Sequence, residues 1–240
     1  MSTMRDVSLN HTQAMTYNDG HGRRLMNIVM PQLALLAAIL LVGFSAASRA
    51  DGANTAATSQ HGVQAKIEYC ETCHGSSGQG YRGFFPMPRL AGQQIEYFEN
   101  QLRAFDERRR ENQYMYGVSH VLSQAMRRAL ATDFSNLNPK PLGGASRNLV
   151  AAGKKIYEEG IPESNVPACM ACHGPEAKGQ GAIPRLAGQL HDYTFNKLVN
   201  WTKERGQNAA KPDTSAVMAA TSHSLTKSET TAIAAYVSRL

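Results

Sequence analysis

The chain has 240 residues, 42% of them apolar, and a formal charge of +6. That length suits one or two small domains. Residues 1–50 hold four arginines and two aspartates, so residues 51–240 keep only +4; that value says little about nucleic acid, and no basic run interleaved with aromatics points to it.

The first element in chain order is an apolar run from about Ile28 to Phe44, behind the basic pair Arg23 and Arg24 and ahead of small residues ending in Ser48-Arg49-Ala50. This reads as an export signal cleaved before Asp51. The alternative is an uncleaved membrane anchor, since the run is near spanning length, although Pro31 lies in its early part. Both readings put residues 51–240 outside the cytoplasm, in a periplasm if the source is bacterial.

A helix is expected over 61–72, leading into YCETCHG at 69–75; its counterpart, over 149–159, precedes ACMACHG at 168–174. The four cysteines of the chain, Cys70, Cys73, Cys169 and Cys172, are therefore two Cys-x-x-Cys-His packets. A thioredoxin-like disulfide would need a βαβ pattern, and the sequence has almost no strand-like alternation. A zinc finger would need a second ligand pair close by, whereas Cys70 and Cys169 open packets nearly a hundred residues apart. Two thiols at this spacing can instead bond the two vinyl groups of one haem, with the adjacent His74 or His173 placed to ligate the iron. Two such matches with no other cysteine favour haem.

Behind each packet the chain repeats itself. PMPRLAGQQIEYFENQL (86–102) answers to AIPRLAGQLHDYTFNKL (182–198), and PRLAGQ is identical in both. MYGVSHVLSQAMRRALATDFSNL (115–137) answers to MAATSHSLTKSETTAIAAYVSRL (218–240). Ile95, Phe98, Leu102 and Phe105 fall at helical spacing, as do Leu122, Met126, Leu130 and Phe134. Ile233, Val237 and Leu240 mark the last helix, and Thr226-Lys-Ser-Glu229 is a capping-box start for it. Arg108-Arg109-Arg110, bracketed by Glu107 and Glu111, reads as a solvated helix end. NLNPKPLGGASRN (136–148) cannot continue a helix and reads as the linker. The fold expected is all-α, with three main helices per half, and domains of about 90 residues so small that a haem supplies much of each apolar centre.

On the doubled Cys-x-x-Cys-His, the doubled Pro-Arg-Leu-Ala-Gly-Gln and the doubled methionine seven residues before a Leu-Ser or Leu-Thr, the chain resembles the di-haem cytochrome c4 family. Members are two class I cytochrome c domains in tandem, and the likeness covers about residues 60–240. It divides the chain into a leader or anchor (1–50), a first domain (51–138), a linker (139–148) and a second domain (149–240). It implies two covalently bound haem c groups, attached through Cys70 and Cys73 and through Cys169 and Cys172. His74 and His173 would be the proximal iron ligands, with Met115 and Met218 distal. A thioether opposite histidine favours ferrous iron, as an electron carrier requires. In similar cytochromes the carbonyl of the proline at Pro88 and Pro184 orients the proximal histidine; Arg89 and Arg185 are then candidates to pair with haem propionates. Gly92 and Gly188 read as structural. His120 and His223, five residues after each methionine, are rival ligands whose position suits an exposed turn.

The function implied is a periplasmic electron shuttle in a respiratory chain, not itself an enzyme. Its partners would be redox proteins: a quinol-oxidising complex or dehydrogenase as donor, a terminal oxidase or reductase as acceptor, met in brief, electrostatically guided encounters. Membrane association would come through the N-terminal segment. The alternative is a di-haem redox enzyme of peroxidase or thiosulfate-oxidising type, which needs one open or unusual iron site.

Overall fold

The computed structural model describes residues 59–143, 145–205 and 214–240; the apolar N-terminal run and the cleavage point before Asp51 lie outside them. The first half contains α1 (Gln60–His74), α2 (Ile95–Asp106), α3 (Gln113–His120) and α4 (Gln124–Ser135). The second contains α5 (Val150–Glu159), α6 (Met170–His173), α7 (His191–Val199), α8 (Trp201–Glu204), α9 (Val217–Ser224) and α10 (Lys227–Val237). Extended pairing among the described residues is limited to isolated bridges, so the fold is all-α. No helix among the described residues is long and apolar enough to cross a membrane.

Local sequence sets the helix starts. Ser59 caps α1 through the Gly62 N–H, and Ser123 caps α4 through the Met126 N–H. Thr226 and Glu229 form the capping box of α10 read from the sequence. Among the elements that sequence periodicity did not give, with α8 and α9, is α3. Its sequence, QYMYGVSH, has no apolar stripe; it is set by Asn112, whose side chain accepts from the Met115 N–H.

The apolar positions close into two cores. Phe98 and Leu102 from α2 meet Met126, Leu130 and Phe134 from α4, with Ile67 from α1 beneath. Phe98 and Phe134 stack with ring centroids 5.6 Å apart. Each fully buried side chain of this size contributes about 1.5–3 kcal/mol. In the second half Tyr157 of α5 packs with Ile233, Tyr236 and Val237 of α10. The two helices cross so closely that a Cβ at Gly153 would fall 1.9 Å from the Ala232 carbonyl oxygen. Only glycine fits there.

The arginine run departs from its sequence reading. Arg110 is 7% exposed, because the second half covers it. Its guanidinium donates to Gln101 Oε1 (2.8 Å) and to the Tyr193 hydroxyl (2.7 Å), and it stacks over Phe105. The solvated reading fails because the covering residue is 83 positions away.

Candidate haem sites and the seam between them

Both Cys-x-x-Cys-His packets end a helix, α1 and α6. Each helix stops at a glycine with positive φ, Gly75 (78°) and Gly174 (78°). The inner cysteines are half-buried and the outer ones exposed, and none is in a disulfide. Burial pushes the Cys70 and Cys169 thiols up to about 11. A redox-active Cys-x-x-Cys needs a depressed thiol pKa, so the shift runs against thioredoxin-like chemistry.

The histidines behind them are buried, and their rings are oriented identically. His74 Nδ1 lies 2.9 Å from the Pro88 carbonyl oxygen, and His173 Nδ1 lies 2.9 Å from that of Pro184. A carbonyl only accepts, so Nδ1 carries the proton and Nε2 presents its lone pair, the tautomer a metal ligand needs. Burial, the dominant cause, lowers both histidine pKa values and keeps the rings neutral. Met115 is half-buried and packs against the first core, as Cys70 and Leu90 also do. Met218 is half-buried in the first turn of α9, and is not among the residues packed on the second core. His120 ends α3 with its side chain 61% exposed, 3.7 Å from Asp106; the exposed position expected for it is what the structure shows. His223 is exposed near the end of α9.

Arg89 is 3% exposed. Its Nε donates to the Ala91 carbonyl and its Nη2 to Asn138 Oδ1, while Nη1 is buried with no partner. No carboxylate among the described residues pairs with it. Burial, and to a lesser degree Arg185, lowers its pKa to about 10. Arg185 is half-buried, donates its Nε to the Ala187 carbonyl, and is likewise shifted down by burial.

Haem c fits these residues. Paired free thiols, a neutral buried histidine with Nε2 available, and an orphaned guanidinium N–H that calls for an anion are what its vinyls, iron and propionates require. When bound, it supplies a one-electron iron couple.

Sequence reading missed the last residue of the repeated hexapeptide. Gln189 Oε1 accepts from the Arg89 N–H (2.8 Å) while its Nε2 donates to the Arg89 carbonyl (3.0 Å). Gln93 does the reciprocal, accepting from the Arg185 N–H (2.7 Å) and donating to the Arg185 carbonyl (3.1 Å). Each copy of PRLAGQ thus clasps the other. The signal was the identity of the hexapeptide, but identity alone does not say that the two copies touch. Gly92 and Gly188, both with positive φ, make the turn before each glutamine.

An all-α chain with two such packets is a di-haem c-type cytochrome. The family model for cytochrome c matches residues 150–240. The cytochrome c4 of Thiocapsa roseopersicina is 35% identical over 175 residues, covering 71% of this chain and 86% of that protein. The thiosulfate dehydrogenase electron acceptor of Stutzerimonas stutzeri (strain A1501) is 32% identical over 209 residues, covering 85% and 92%. The solved structure of Acidithiobacillus ferrooxidans cytochrome c4 superimposes with a TM-score of 0.61 at 33% identity, over 71% of this chain and 98% of that one. The chain belongs to the cytochrome c4 family, tandem class I cytochrome c domains with covalently bound haem c.

Proposed function

We propose that this protein is an exported electron carrier with one haem in each of two units, residues 51–138 and 149–240, joined by 139–148. Cys70 and Cys73 hold the first haem and Cys169 and Cys172 the second. His74 with Met115, and His173 with Met218, would ligate the irons, and Arg89 and Arg185 would pair with the propionates. The carrying observation is the pair of identical histidine settings, each Nδ1 2.9 Å from its proline carbonyl. It supports two permanently ligated irons, because each ring is held by its Nδ1–H and would offer the Nε2 lone pair to a metal. A carrier needs that fixed geometry, because a ligand set that stays put between oxidation states keeps reorganisation small.

The relative named as a thiosulfate dehydrogenase electron acceptor supports a sulfur-oxidising dehydrogenase as donor, with a terminal oxidase or reductase as acceptor. Export to the periplasm follows the signal reading of residues 1–50. The test is reduction of the purified holoprotein by a thiosulfate dehydrogenase supplied with thiosulfate. Both haems should turn ferrous, and neither ferrous haem should bind carbon monoxide in the folded protein. Carbon monoxide binding to one haem would move the reading to the redox-enzyme alternative.

A further inference from the structure

The two halves differ where the chain runs from the haem packet to the proline. His74 and Pro88 are 14 positions apart, His173 and Pro184 only 11. The extra length forms a loop at residues 82–86, closed by Tyr81 and Met87, whose N–H and C=O groups bond reciprocally at 3.0 Å. In the second half the corresponding turn, Gln180 to Ile183, is tight, and its Gly181 carbonyl accepts from the Tyr97 N–H. That turn is spent on the seam between the halves. The loop in the first half stands free of it.

The loop carries Phe84, 93% exposed, and Phe85, 72% exposed, their rings edge to face 4.9 Å apart. Tyr81 at its base is 59% exposed, and a Cβ at Gly83 would lie 2.7 Å from the Tyr81 ring. Arg82 fixes the loop to the linker by donating to the Leu142 carbonyl (3.1 Å). Phe84 and Phe85 belong to neither cluster of buried apolar side chains. Exposed aromatics on a rigid frame are instead what a binding surface presents at low entropic cost.

Charge selects the partner. Residues 72–95, which include the loop, contain no aspartate or glutamate, and neither do residues 134–157, which include the linker it leans on. Arg82 and Lys140 are the exposed charges nearest the loop along these segments. The complement is an apolar recess rimmed by carboxylates. The loop also runs straight into Met87 and Pro88, and the Pro88 carbonyl holds His74. A partner seated on Phe85 is therefore three residues and one hydrogen bond from a proximal ligand. A lipid surface would accept the aromatics but has no use for that path; a redox protein has.

Building on the proposed function, we infer that the Phe84–Phe85 loop docks the electron-donating dehydrogenase, through an acid-rimmed apolar recess, and directs its electrons to the first haem. One electron leaves the donor and one arrives in the first half; no bond forms and no proton moves. The patch is small, as suits a short-lived redox encounter.

The test uses full-length holoprotein, wild type and Phe84→Ser/Phe85→Ser, with purified thiosulfate dehydrogenase and thiosulfate. The variant should show a fall of about tenfold or more in both the second-order reduction rate and the affinity for the dehydrogenase measured by surface plasmon resonance. Its reduction by dithionite and its two reduction potentials should match wild type. In wild type, the first haem should be reduced before the second. A variant that keeps wild-type rate and affinity overturns the docking site and leaves the carrier reading intact. A wild-type protein that the dehydrogenase cannot reduce overturns both. Loss of binding to phosphatidylglycerol vesicles, with the reduction rate unchanged, would overturn the inference in favour of a membrane role.

Discussion

Gln189 holds both polar ends of Arg89 from the opposite half of the molecule, at 2.8 and 3.0 Å. The Arg89 N–H belongs to the same peptide group as the Pro88 carbonyl that accepts from His74. A side chain of the second half thus polarises the peptide that orients the proximal histidine of the first, and Gln93 returns the relationship through Arg185.

Gln189→Leu removes that clasp and leaves three buried backbone groups unpaired, the Arg89 N–H and C=O and the Leu190 N–H, at a cost of about 1–3 kcal/mol each. Calorimetry of the holoprotein should show a lower Tm and a broader or split transition, because the halves lose a shared contact. Polarisation along the hydrogen-bonded chain also weakens. The Pro88 carbonyl becomes a poorer acceptor, His74 a weaker electron donor to iron, and the first haem's potential should rise more than the second's. Equal shifts at both haems would argue against a local effect.

Gly153→Ala should be far more damaging than its size suggests. The new methyl would meet the Ala232 carbonyl at 1.9 Å, so α5 and α10 must separate. Overpacking of this kind costs typically 1–3 kcal/mol, and more where backbone must move. Urea titration should show the second half unfolding first, with the first half's haem spectrum retained to higher denaturant.

The lowered histidine pKa values fix the sign of the acid response. Both groups sit below their ordinary value in the folded protein, chiefly through burial. The unfolded chain takes up protons as pH falls below about 6.5, while the folded rings stay neutral, so stability is lost in that range. Above it these two groups make stability flat. In the holoprotein Nε2 would be on iron, so this response belongs to molecules whose histidine–iron bond has opened: urea midpoints at pH 7.5 and 6.5 should agree, and any drop at pH 5.5 should come with loss of the low-spin haem spectrum.

Much of this was legible in the sequence because it depends on residues close together. Helical spacing gave α2, α4 and α10, and the packets gave their own histidines and cysteines. The Pro88 and Pro184 contacts span 14 and 11 residues and came from family likeness. What stayed hidden spans the two halves. Arg110 looked solvated between Glu107 and Glu111 until Tyr193 covered it. The glutamines were read as part of a repeat, although their partners lie 92 and 100 residues away. Arg89 was a propionate candidate through the family likeness; its burial and its unpaired Nη1 depend on tertiary packing that no local pattern carries.

Met115→Ala tests the distal ligand of the first haem by itself. Removing the thioether removes its preference for ferrous iron, so that haem's potential should fall, and its iron should become open to carbon monoxide. The second haem should keep its potential, since its proposed ligands are all in its own half. Unchanged potentials would exclude Met115 and turn attention to His120.

The central claim, two haems each held by histidine and methionine, is tested most directly by visible spectroscopy on the purified holoprotein. Haem content from the pyridine adduct should be two c-type haems per chain. The ferric protein should show the far-red methionine-to-iron charge-transfer band at the intensity of two such centres. One haem per chain, or a band at half that intensity or absent, would contradict the account.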